Sequence, residues 1–219
     1  MRKAGRFVFA ARVGFQLTGG GHLEQSCTAT GFESCGSQQS NEDHDDKSIV
    51  MFGIDGLIHA TPGLRLGLGY QLVPYSAIRF KSAVKDYHLG NEHALNAIIE
   101  GLLPLGPRIG FVLRAQAGAR MIVIGGDLET SSNDLLSGCK LANEYHCEVD
   151  QGPLFGTNFG LMMGVLGGPS TVHWRVDLAL DRFSVALPTF QDVSTQGNGI
   201  SAGATLYGTR LWLLGGVEL

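Results

Sequence analysis

Charged and imidazole side chains recur through this chain on the non-apolar face of segments that alternate apolar with small or polar residues. They are Arg12, Asp55, His59, Arg65, Glu100, Arg114, Arg175, Asp177, Asp181, Arg210 and Glu218. Arginines set among carboxylates can do two things. They can lock into bidentate pairs that satisfy one another in a packed polar interior. Left partly open, they can line a narrow path for ions. The packed reading prevails, because bare buried charge is too costly to leave unpaired. Glu100 and Arg114 are the best-placed pair, on neighbouring segments joined by a short turn near Gly106.

Three further constellations could carry chemistry. The run Asn41-Glu-Asp-His-Asp-Asp-Lys47 is rich in oxygen ligands for a divalent cation, and could bridge one to an anionic lipid. It lacks the glycine and terminal glutamate of a calcium loop, so a solvated charge run is the prevailing reading and no metal site is assigned. His22, Ser26, His44, Asp45, His88, His93 and His146 fall at loops or loop edges, where a histidine could activate a serine. No nucleophile motif such as G-x-S-x-G accompanies them, and no catalytic residue is assigned. His59 and His173 read as interior hydrogen-bond partners. Cys27 and Cys35 share one loop, and Cys139 and Cys147 another, which makes two intra-loop disulfides the simplest pairing. Four cysteines allow three connectivities, so the inter-loop ones stay open.

The elements that must position these groups are strands. Phe7, Phe9, Ala11, Val13, Phe15 and Leu17 alternate with Arg6, Val8, Ala10, Arg12, Gly14, Gln16 and Thr18. A period of two places successive side chains on opposite faces of a strand. The pattern repeats from Ser48 to Thr61, Leu64 to Val73, His93 to Leu105, Arg108 to Ile124, Thr157 to Leu166 and Val172 to Val185, and less regularly from about Ile200. Short breaks fall at Pro62-Gly63, Gly106-Pro107 and Gly167-Gly168-Pro169. Long ones run over about 19–47, 79–92, 125–155 and 187–199. These alternating breaks predict an all-β fold: an eight-stranded antiparallel up-and-down barrel, with tight turns at one end and long loops at the other.

Face chemistry decides between a soluble and a transmembrane barrel. The lysines (Lys3, Lys47, Lys81, Lys85 and Lys140) all avoid the strands, whereas the strand arginines share the non-apolar face. A water-exposed face would carry lysine. A face of Arg, Asp, Glu, Asn, Gln and Gly reads as a packed interior, with the apolar face turned to lipid. Val8, Met51, Leu57, Ile98, Val112, Met162, Leu166, Trp212 and Leu214 also fall on the inner face, as core packing or as the walls of a path for small apolar molecules. The net charge of −4, without a basic block, excludes a nucleic-acid partner. No apolar run is long enough for a membrane-spanning helix. Met1-Arg2-Lys3 resembles the start of a secretory signal, but no apolar core follows, so a signal was removed or never included.

On this strand pattern, loop asymmetry and strand-like end (Thr209-Arg-Leu-Trp-Leu-Leu-Gly-Gly-Val-Glu-Leu219), the chain resembles the eight-stranded outer-membrane barrels of Gram-negative bacteria. That group includes the OmpA transmembrane domain, OmpX, OmpW and the opacity-type adhesins. The resemblance covers residues 5 to 219 and departs at Leu219, where these barrels usually end in an aromatic residue. It implies one domain over residues 1–219, an outer-membrane location and both termini in the periplasm. It implies lipid, lipopolysaccharide and the barrel-assembly machinery as partners, a monomeric state and no cofactor. The expected role is non-enzymatic: structural, adhesive or surface-displaying through the long loops. A narrow channel, or an importer of small apolar molecules, is the alternative. An enzyme modifying outer-membrane lipid is the second. No peptidoglycan-binding domain is expected after the barrel.

Overall fold

The computed structural model describes residues 7–30, 41–141, 145–149, 152–168, 172–194 and 199–219. Eight long strands close into a ring, each antiparallel to its neighbours. They are β1 (Phe7–Thr30), β3 (Val50–Thr61), β4 (Leu64–Phe80), β5 (Tyr87–Pro104), β6 (Ile109–Ile124), β8 (Leu154–Gly167), β9 (His173–Ala186) and β11 (Gly199–Glu218). β1 pairs with β11 to shut the ring. Reciprocal backbone bonds between Phe9 and Leu219, at 3.2 and 2.9 Å, carry that seam to the last residue. The architecture is the eight-stranded up-and-down barrel expected from the alternation.

Burial settles the faces. On β9, Arg175, Asp177, Ala179, Asp181 and Phe183 are buried, while Trp174, Val176, Leu178 and Leu180 between them are exposed. The outer surface is the apolar one all round: Phe9 is 64% exposed, Leu68 62% and Leu113 55%. A surface of this kind needs lipid, which makes the barrel a transmembrane one. Among the described residues no helix is long and apolar enough to cross a membrane; the strands do so.

The loop end departs from the expected breaks at 19–47, 79–92, 125–155 and 187–199. β1 continues to Thr30, so Cys27 lies in a strand rather than in a loop. The acidic run forms β2 (Asn41–Asp46), which pairs with both β1 and β4. β4 and β5 extend until only residues 81–86 separate them. The third break holds a helix, α1 (Gly126–Leu141), carrying Cys139, and a short strand, β7 (Tyr145–Val149), carrying Cys147. β10 (Phe190–Ser194) joins β7 to β11. The last strand, irregular in sequence, pairs with β1 from Gly199 to Glu218 with one bulge. Spanning a membrane takes only about 9–11 residues of tilted strand. The excess length builds a rim above the apolar band, where a lipid-facing signature has no reason to persist.

Two local features shape that rim. At Gly126, φ is +61° and a Cβ would lie 2.8 Å from the His88 Cβ, so only glycine turns β6 into α1 here. Tyr75 holds a φ of 53° in a bulge of β4 between Val73 and Ser76. The bulge leaves Tyr75 outside and turns Ser76 inward.

Candidate functional site

The barrel interior is filled in four layers, visible in the order of inward residues along the strands. On β5 the sequence is Glu100, Asn96, Glu92, Leu89; on β11 it is Glu218, Trp212, Arg210, Leu206. Along these two strands a charged layer near the turn end is followed by a mixed layer, a second charged layer and an apolar cap.

The first charged layer joins four arginines to four carboxylates. Arg12 and Arg114 both hold Asp55, with contacts of 2.6 Å each. Arg65 donates to Glu100 at 2.9 Å and grips both oxygens of Glu218 at 2.8 and 2.5 Å. Arg175 bridges Glu100 and Asp177 at 2.5 Å each. The Met162 sulfur accepts from Arg12 at 3.0 Å and lies 3.6 Å from an Arg175 nitrogen, which links the two halves. Arg12, Arg65, Arg114 and Arg175 balance Asp55, Glu100, Asp177 and Glu218, a net charge of zero. The fit is tight: a Cβ at Gly69 would lie 2.5 Å from Asp55 Oδ1, and one at Gly164 2.0 Å from Asp177 Oδ1.

Above it sit Met51, Val73, Met162, Ala179, Trp212 and Leu214. The Asn158 amide donates to Asn96 Oδ1 at 2.7 Å in the same zone. The second charged layer follows. Arg210 donates to Asp46 at 2.5 Å and to both oxygens of Glu92 at 2.7 and 2.6 Å. Arg120 reaches Glu92 at 2.7 Å and also pairs with Asp181. The Phe183 ring lies between the two guanidiniums, 4.4 Å from each. Ser76 donates to Glu92. Arg120 and Arg210 against Asp46, Glu92 and Asp181 leave this layer at −1. The cap is Leu23, Ile78, Leu89, Ile122, Leu154, Val185 and Leu206, closed from above by Leu128 of α1.

The structure brings Arg12, Asp55, Arg65, Glu100, Arg114, Arg175, Asp177 and Glu218 into one layer, and places Asp181 and Arg210 in the other. His59 is buried at the register position of Arg65, and His173 lies at that of Glu218. One pairing is corrected. Glu100 and Arg114 stand opposite each other across β5 and β6, but each bonds elsewhere. Arg114 reaches Asp55 and Gln116, while Glu100 takes Arg65 and Arg175. Arg65 is Glu100's cross-strand neighbour on β4, while Arg175 and Asp55 come from non-adjacent strands, because long guanidinium stems span the narrow lumen.

Sequence reasoning missed three of the five charged groups of the second layer: Asp46, Glu92 and Arg120. Asp46 lay in the acidic run and Glu92 at a presumed loop edge. Arg120 carried the signal, being on the inner face of β6. The acidic run is not the solvated charge run expected, because it forms a strand with two residues buried. Its residues alternate: His44 and Asp46 point inward, while Asp43 pairs with Lys81 at 2.6 Å and Asp45 with Lys47 at 3.1 Å. Lys81 holds the exposed Asp43 carboxyl below its usual range. His44 is buried, which pushes its pKa down, while a 3.1 Å contact with the Tyr207 carbonyl opposes the shift. His93 lies in β5 on the outer face, 2.6 Å from the Tyr70 hydroxyl. At the foot of α1, Asp127 accepts from the His88 backbone N–H at 3.0 Å and from Lys85 at 3.3 Å, which lowers its pKa. Cys27 is disulfide-bonded. The side chains of Cys35, Cys139 and Cys147 lie outside the described residues.

Fold and interior together define a transmembrane barrel whose lumen is occupied by its own side chains. No protein-family model matches the chain, and no curated protein does. Solved structures similar to it include Neisserial surface protein A (NspA), at 12% identity over 100% of this chain and 99% of that one, with a TM-score of 0.43. The outer membrane protein OprG from Pseudomonas aeruginosa is 11% identical over 100% and 97%, with a TM-score of 0.47. The outer membrane protease OmpT from Escherichia coli is 7% identical over 100% and 98%, with a TM-score of 0.33. Likenesses of this degree leave function to the chain's own chemistry.

Proposed function

We propose that this protein is a non-enzymatic barrel of the bacterial outer membrane, with a plugged interior, acting in structure, adhesion or surface display through its loop end. The observation that carries the reading is the unbroken succession of two hydrogen-bonded charged layers, a mixed layer and an apolar cap. An ion would have to displace guanidinium–carboxylate bonds twice, cross the mixed layer between them and pass the apolar cap. Each displacement exposes buried charge at a cost of several kcal/mol. The lipid-facing band combined with an arginine-filled core supports the outer-membrane location, and termini and short turns on the periplasmic side belong to the same proposal. Disulfides Cys27–Cys35 and Cys139–Cys147, a monomeric state, and lipopolysaccharide and the barrel-assembly machinery as partners belong to the same proposal.

Planar-bilayer recording tests it. The intact protein should give no steady conductance, and neutralising one layer, for example with Glu100→Gln, should produce at most brief openings. A large, stable, salt-dependent conductance in the unaltered protein would replace this reading with that of a channel.

A further inference from the structure

Arg182 differs from the other arginines of the barrel wall. On β9 it lies between the buried Asp181 and Phe183 and is itself exposed on the outer face. Arg12, Arg65, Arg114, Arg120, Arg175 and Arg210 are all buried inside, and the partly exposed Arg79 of β4 is paired with Asp86 at 2.6 Å. Among the described residues no side chain pairs with Arg182.

Its position is defined by cross-strand rows running over β8, β9, β11 and β1. One row below it is Leu161–Leu180–Leu211, still apolar. Its own row is Phe159–Arg182–Thr209. The row above is Thr157–Ser184–Tyr207–His22, polar throughout. Thr157 and Ser184 share a hydroxyl hydrogen bond of 3.2 Å, and His22 stacks on Tyr207 at 4.9 Å between ring centres. The next residue in that row, Asp43 of β2, is already neutralised by Lys81.

We infer that this outer face, centred on Arg182, binds the phosphorylated saccharide headgroup of a membrane lipid. The guanidinium sits one row above the acyl-chain band, where a lipid phosphate lies, and its forked donors match phosphate oxygens. The hydroxyl- and imidazole-bearing row above offers donors and acceptors to sugar hydroxyls. Phe159 and Leu180 receive the first methylenes of the acyl chains. An exposed, unpaired cation at a lipid boundary attracts anionic headgroups; the polar row is what selects a sugar over a glycerol head.

The site rests on the outer-membrane reading, yet its test is separate. Folded protein in neutral detergent micelles would be titrated with diphosphorylated lipid A, the same lipid after phosphatase treatment, phosphatidylglycerol and inorganic phosphate. Lipid A should bind at least about ten-fold more tightly than its phosphate-free form, the equivalent of one charge-assisted hydrogen bond. Arg182→Gln should abolish that difference and Arg182→Lys should keep part of it. Phosphatidylglycerol should bind more weakly, and inorganic phosphate should not compete at millimolar concentration. Equal binding of lipid A with and without phosphate by the unaltered protein would overturn the site, whether or not Arg182→Gln folds. Equal affinity for phosphatidylglycerol would overturn the saccharide assignment. An open-pore conductance would sink the plugged-barrel reading and leave these affinities untouched.

Discussion

Arg210 is the residue on which the second charged layer turns. Its guanidinium holds Asp46 and both oxygens of Glu92, reaches Ser76 Oγ at 3.3 Å and covers one face of Phe183. Replacing it with methionine keeps much of the volume and removes the charge. Glu92 then keeps Arg120 and Ser76, while Asp46 keeps only the Ser48 backbone N–H at 2.9 Å. The layer falls from 2 − 3 = −1 to 1 − 3 = −2. Breaking a buried pair by removing one partner costs about 3–5 kcal/mol, against a typical total of about 5–15 kcal/mol. Arg210→Met should therefore fold but melt early. Adding Glu92→Gln returns the layer to 1 − 2 = −1 and should recover at least about 1–2 kcal/mol. The assay is urea unfolding in lipid vesicles, read as the fraction of unboiled protein that keeps its folded gel mobility. A single-variant loss below about 1 kcal/mol, or a double variant no more stable than Arg210→Met, would refute the layer as described.

Other outcomes follow from the same structure. Arginine at Leu68, Leu113 or Leu178 should cost about 2–4 kcal/mol in vesicles if the position lies near the bilayer midplane; unchanged stability would mean that this face does not meet lipid. A double-mutant cycle on Glu100 and Arg114 should show weaker coupling than one on Glu100 and Arg175, because only the latter pair is bonded; the reverse order would restore the hairpin pairing. Gly69→Ala should destabilise by about 1–3 kcal/mol through its clash with Asp55, and an unaffected melting curve would show slack in the first layer. His44 has a lowered pKa through burial, so the unfolded chain takes up its proton first. Its contribution should be intact above the ordinary histidine pKa of 6.5 and should fall as pH drops below it. His44→Gln should flatten the unfolding midpoint between pH 7.5 and 5, and a slope unchanged by that substitution would place the titration elsewhere.

The sequence alone determined the barrel and its polarity. Period-two alternation leaves no freedom in the membrane-spanning part, since a slip of one residue would carry Phe7, Phe9, Phe15 and Leu17 inside and Arg12 into lipid. Arg12, Asp55, Glu100 and Asp177 are therefore legible as interior groups from the alternation alone. What lay beyond the lipid was not legible. β2, α1 and the upper halves of β1 and β5 carry polar residues on both faces, so Asp46 and Glu92 read as loop although they complete a buried layer. The choice of partners belonged to the tertiary structure alone. Arg65 meets Glu218, and Arg210 meets Asp46 and Glu92, across sequence separations of 153, 164 and 118 residues. The strands bring these groups to a common height only once the ring has closed. Glu100 and Arg114 show the reason most directly: local spacing sets them face to face, and the closed lumen brings Arg175 to Glu100 and Asp55 to Arg114 from non-adjacent strands.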